Sequence, residues 1–105
     1  MQLEFRHAGM VVRVDGDVVE IFGTTGSSHR YLLPSLRVEV QPGATKGELV
    51  MRSAWAPADW PLYELFAKPR YHNGEVEAFI PVVEEPIYRQ FFTQVAQLCG
   101  RSVAA

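Results

Sequence analysis

Cysteine is nearly absent from this 105-residue chain: Cys99 stands alone, so no intramolecular disulfide can form and stability has to come from packing. Long apolar runs are absent too. The uninterrupted stretches, such as Met10-Val11-Val12, hold a few residues each, against the roughly 20 that a membrane-spanning helix requires. The first residues, Met1 to Arg6, lack a basic flank followed by an apolar core, which excludes a secretory signal of the usual kind and gives a cytoplasmic location as the expectation. Charge of one sign is nowhere concentrated. Ten Lys and Arg are scattered among twelve Asp and Glu for a net charge of -2, and nucleic acid or an anionic membrane would reward a basic stripe. Neither is expected as a partner.

What is present suffices for one core. Apolar residues make up 48% and charged residues 21% of the chain, close to the globular average, so residues 1–105 are read as a single domain that folds without a cofactor. The first half alternates at period 2 between turn residues, the pattern of short antiparallel strands; Ala54 to Pro61 departs from it as a loop, and strands are expected over about 2–82. Met10 to Val14 faces Val18 to Phe22 across Asp15-Gly16-Asp17; His29 to Leu33, Leu36 to Val40 and Gly47 to Ser53 follow. Leu62 to Lys68 and Glu75 to Val82 are expected to form a hairpin on Asn73-Gly74, a pair that tolerates the positive φ of a type I′ turn. Inward positions include Tyr31, Leu33, Leu36, Val38, Leu49, Met51 and Ile80.

The period then changes. Glu85-Pro86 opens a helix and Gly100 ends it, with Tyr88, Phe91, Phe92, Val95, Leu98 and Cys99 recurring at spacings of three and four along one face, over about 85–99. Residues 101–105 are expected to fray.

Gly9-Met10-Val11-Val12-Arg13-Val14-Asp15-Gly16-Asp17, Leu33-Pro34-Ser35-Leu36-Arg37-Val38-Glu39-Val40 and the closing aromatic helix resemble the small bacterial pleckstrin-homology-like (PH-like) domains of unknown function, from Gly9 to Gly100. The resemblance implies a mainly β fold: an antiparallel bent barrel or sandwich of about seven strands capped by one C-terminal helix. Lipid-binding members of that superfold carry basic residues around the first hairpin. Here that turn is Asp15-Gly16-Asp17 with Glu20 following, so phosphoinositide binding is not expected. Gln2 to His7 adds a strand before the family's usual first one, able to cover an edge or to pair with another copy.

Catalytic and metal-binding patterns are weak. Gly23-Thr24-Thr25-Gly26-Ser27-Ser28 lacks the lysine and the following helix of a phosphate-binding loop and joins two strands. His7, His29 and His72 have no second ligand at metal-site spacing, and Cys99 lies on an apolar helix face. No Gly-x-Ser-x-Gly elbow surrounds Ser27, Ser28, Ser35 or Ser53. Glu84-Glu85 suits a helix N-terminus and Glu75 with Glu77 a solvated strand face. The chain is therefore read as non-catalytic, with no cofactor and no metal.

Trp55 and Trp60, within the proline-rich stretch Ala54 to Pro61, stand out. They either plug the open end of the barrel or form a binding hot spot, with Arg52, Arg70 and Tyr71 at the same end. Phe22 and Phe79 fall on outward strand positions, as do Val11, Val18 and Val50, and would make a patch for a protein partner or for a second copy. A binding or scaffolding module that forms a homodimer is the first expectation, and a carrier of a small apolar ligand or lipid is the second. An uncharacterised enzyme comes third.

Overall fold

The computed structural model describes residues 2–24, 26–66 and 76–104. Four antiparallel strands come first: β1 (Gln2–His7), β2 (Met10–Asp15), β3 (Val18–Phe22) and β4 (Ser28–Leu32), paired in chain order. Their turns follow from the residues. Ala8 and Gly9, both at positive φ, join β1 to β2, and Gly16 at φ 59 occupies the first central position of the β2–β3 turn, where a II′ geometry needs glycine. Alternation puts Val12, Val14, Val19, Ile21 and Tyr31 in the core and sends Glu4, Arg13, Glu20 and Arg30 outward.

A 3-10 turn at Leu33–Ser35 swings the chain into the second sheet. It contains β5 (Leu36–Pro42), β6 (Glu48–Trp55), β7 (Tyr63–Leu65), β8 (Val76–Pro81) and β9 (Val103–Ala104), in the order β8-β6-β5-β7-β9. The two inner faces meet in one core, bridged by Tyr31 and Ser53, whose hydroxyl oxygens lie 2.7 Å apart. All seven expected inward side chains are buried in it. The protein is mainly β, with two sheets and one C-terminal helix.

Of the barrel or sandwich expected, the sandwich forms, since no ladder joins the two sheets among the described residues. Four expectations need correcting. Among the described residues nine strands replace about seven, and the pairing is not wholly antiparallel, since β7 runs parallel to both β5 and β9. The hairpin between Leu62–Lys68 and Glu75–Val82 does not form among the described residues: β7 lies beside β5, while β8 pairs with β6. A three-residue strand carries too little alternation to name its neighbour, and the Asn73-Gly74 turn lies outside the described residues. Residues 101–104, finally, are tied down and not frayed. Arg101 donates to the carbonyls of Leu33, Leu36 and Trp60, and Val103 pairs with Tyr63.

Helix α1 (Glu85–Cys99) has the expected bounds, entered through a 3-10 turn at Val82–Glu84 and closed by Gly100 at φ 68, whose N–H reaches Ala96 O. Tyr88, Phe91, Phe92, Val95 and Ala96 are buried; Leu98, placed on that face by its spacing, is exposed. The helix fills the opening between β1 and β7. Phe5 stacks on Phe91 with ring centroids 4.8 Å apart, and Tyr63 stacks on Phe92 at 5.5 Å. Two polar contacts fix its start: His7 Nε2 donates to Glu84 Oε1 at 2.5 Å, and Tyr63 OH donates to the buried Glu85 carboxylate at 2.6 Å. The acidic pair thus does more than favour the helix dipole.

Candidate functional site

Strand register decides which side chains share a surface. On the outer face of the second sheet Glu77, Arg52, Glu39 and Glu64 lie in one cross-strand row, with Phe79, Val50 and Gln41 forming the row beside it. Arg37 lies beyond the first row, on the same face of β5. It is fully buried although it points away from the apolar core. Its Nε donates to Glu39 Oε1 and its Nη2 to Glu64 Oε1, both at 2.8 Å, and Nη1 reaches Pro61 O at 3.1 Å. Trp60 covers it, ring centroid 5.4 Å from the guanidinium carbon. A buried cation with two carboxylates and a carbonyl is compensated, and the aromatic face adds a further favourable contact.

Outward from this buried cluster the face becomes accessible. Gln41 Nε2 donates to Glu39 Oε2 at 3.4 Å, Arg52 Nη1 to Gln41 Oε1 at 3.4 Å, and Arg52 Nε to Glu77 Oε2 at 2.7 Å. Beside that chain of contacts Phe79 is 57% exposed on β8, which is an edge strand among the described residues. Phe66, 56% exposed, follows Leu65 at the level of the Phe79 row and holds a positive φ of 59°, which costs a bulky residue backbone strain. The chain leaving β8 carries further exposed apolar residues. Pro81, Val82, Val83, Pro86 and Ile87 are all exposed, Val83 by 81%. Water wets these side chains at a cost that burial against a partner would remove.

Arg52, Trp60 and Phe79, expected at the binding surface, therefore lie on one face of the second sheet. Trp55 does not. It sits at the end of β6 on the core side, its ring centroid 5.1 Å from that of Tyr31, with Nε1 donating to His29 Nε2 at 3.2 Å, and it remains 41% exposed. The two tryptophans are on opposite faces of β5 and β6, so neither a shared plug nor a shared hot spot is formed. Phe22 is on the other sheet, its ring under Arg13 at 5.9 Å, so it builds no patch with Phe79. Val50, expected on the surface, is buried on the outer face of β6. Arg70 and Tyr71 lie outside the described residues, as do His72 and Glu75. Phe66, Val82, Val83 and Ile87 escaped notice because their exposure depends on where the chain turns, which periodicity does not record.

The first sheet's outer face carries a second ordered surface. Glu4, Arg13, Glu20 and Arg30 stand directly opposite one another across all four strands. Arg13 Nε is 3.3 Å from Glu4 Oε1, Arg30 Nη2 is 3.3 Å from Glu20 Oε2, and Arg6 Nη2 is 2.7 Å from Glu4 Oε1. Hydrogen bonding from Arg13, aided by Arg6, holds the Glu4 carboxyl below its ordinary value. A shallow depression of about 530 Å³ crosses this face, lined in part by Glu4, Arg13, Val18 and Glu20.

Two tyrosines at the helix are perturbed. Burial, followed by the hydrogen bond to Glu85, pushes the Tyr63 phenol far above its ordinary value, and burial with the nearby Glu84 raises Tyr88. The Tyr63 hydroxyl is held by Glu85 at the start of α1, and Tyr88 is buried on α1 itself. Among the described residues no group of three or more His, Cys, Asp or Glu has the spacing of a metal site, and no helix is long and apolar enough to cross a membrane. Comparison with protein-family models, with curated proteins and with solved structures finds no match.

Proposed function

We propose that this chain is a non-catalytic protein-binding module, PH-like in shape, that docks a protein partner on the outer edge of its second sheet. The observation that carries this is the number of exposed apolar side chains, Phe79, Val82, Val83 and Ile87, along the stretch of chain from β8 into α1, with the Arg52–Glu77 ion pair next to Phe79 on β8. An apolar centre with a charged rim is the anatomy of a contact surface. Anchoring such side chains on a strand and a helix start fixes their geometry before the partner arrives, which lowers the ordering cost of association.

The second reading, a carrier of a small apolar ligand, needs an interior that its own side chains leave empty. Tyr31, Leu33, Leu36, Val38, Leu49, Met51 and Ile80 are all buried in the shared core, and α1 occupies the opening that a ligand would use. Docking at the surface is therefore favoured over uptake.

A photo-crosslinking residue placed at Phe79 tests the proposal in the native host, with the same residue at the exposed Gln94 of α1 as the control. A discrete larger adduct is expected from position 79 and not from position 94. Equal labelling at both positions, or none at 79, would overturn it.

A further inference from the structure

The charge row on the first sheet pairs across neighbouring strands, and it also has a symmetry of its own. Its four members read minus, plus, minus, plus from β1 to β4: Glu4, Arg13, Glu20, Arg30. An alternating row of even length is complementary to its own reversal. We infer that the outer face of the first sheet binds a second copy of this chain, face to face, about a two-fold axis parallel to the strands.

That axis reverses the order of strands while keeping each row at its own height. Glu4 then meets the partner's Arg30, Arg13 meets the partner's Glu20, and the two remaining contacts repeat these by symmetry. The neighbouring row, Arg6, Val11, Phe22 and Ser28, sets Val11 against the partner's Phe22 and Arg6 against the partner's Ser28. The third row, Gln2, Asp15, Val18 and Leu32, places Asp15 against the partner's Val18 and Gln2 against the partner's Leu32. No row brings like charges together. A two-fold axis running across the strands would place Glu4 on the partner's Glu4 and Arg13 on the partner's Arg13, so charge selects one of the two orientations.

Size and chemistry set the strength. Four strands at about 4.8 Å spacing and five to six residues at about 3.3 Å each make a face of about 19 by 18 Å, roughly 340 Å² in projection and well below the ~800 Å² per partner of a standard interface, a size that suits only a weak, transient contact. The in-chain ion pairs are largely solvent-exposed, with Arg30 at 70% and Arg13 at 53% side-chain exposure, so their partners can be exchanged at little cost. The shallow depression along the face leaves room for interleaved arginines and bridging water. A weak, salt-sensitive dimer follows, with a dissociation constant on the order of 10 to 100 µM.

Exchange of charge across the axis tests this. Sedimentation equilibrium of Arg13→Glu and of Glu20→Arg should show each weakened at least tenfold, because each sets like charges in contact twice. An equimolar mixture of the two should recover wild-type affinity or better, since both contacts become opposite again. If either variant melts below the wild type, Glu4→Arg with Arg30→Glu gives the same exchange at the ends of the row. Raising salt from 50 to 500 mM should weaken the wild-type dimer severalfold, and Phe79→Glu should leave it intact, which keeps this face separate from the docking edge proposed above. A wild type that stays monomeric at 500 µM overturns the inference, as does a mixture no tighter than its components or a dimer lost on Phe79→Glu.

Discussion

Arg37 illustrates how much a single side chain organises here. It lies in Leu36-Arg37-Val38-Glu39-Val40, where alternation assigns Leu36, Val38 and Val40 to the core and leaves Arg37 and Glu39 to solvent, yet both charged residues are buried. Removing Arg37 strands the Glu39 carboxylate, so Arg37→Ala should cost about 3 to 5 kcal/mol in urea unfolding, whereas Arg52→Ala, which breaks a pair open to water, should cost about 1 kcal/mol or less. Similar losses for both variants would contradict the assigned burial. Tyr63 gives a pH dependence of definite sign. Its folded value is raised, so its contribution is complete below about pH 10, where an unfolded phenol ionises, and is lost as the pH climbs further. Alkaline titration followed at the phenolate absorbance should show Tyr63 ionising only together with loss of the far-ultraviolet signal. Reversible ionisation of every tyrosine near pH 10 with the fold retained would exclude that picture.

At the scale of elements, α1 and the residues after it close the sandwich. Five buried side chains of α1 complete the core, and Arg101 joins three carbonyls from the β4–β5 turn, β5 and the β6–β7 loop. Burial lowers the Arg101 guanidinium from its ordinary value, with Arg37 adding to the effect, and Nε finds no partner in the described structure. Ending the chain at Glu84 should abolish cooperative thermal unfolding, and ending it at Gly100 should cost about 1.5 to 3 kcal/mol, the range for hydrogen bonds to a charged donor. A chain ending at Gly100 that melts like the full protein would return residues 101–105 to the status of a loose tail. The helix and the early strands were legible because both periods are local: Glu85–Cys99 carries spacings of three and four, and β2, β3 and β5 carry spacings of two. β7 and β9, with three and two residues, were not. Parallel pairing between segments that far apart leaves no mark in either one alone.

For the whole molecule, the surface divides by sheet: exposed apolar side chains run from β8 of the second sheet into α1, and a row of alternating charge crosses the first. The outward positions of Phe22 and Phe79 were readable from alternation, but their separation onto different sheets depends on the turn at Leu33–Ser35 and on sheet order. The most direct test of the docking role is the size of the endogenous chain in concentrated extract of its native host, with and without Phe79→Glu, read by gel filtration with specific detection. The account predicts elution well above 11.8 kDa for the wild type and a shift to smaller size for Phe79→Glu, with the purified variant melting at the wild-type temperature. Elution of the wild type as a bare 11.8 kDa chain, or an assembly that Phe79→Glu leaves unchanged, would contradict it.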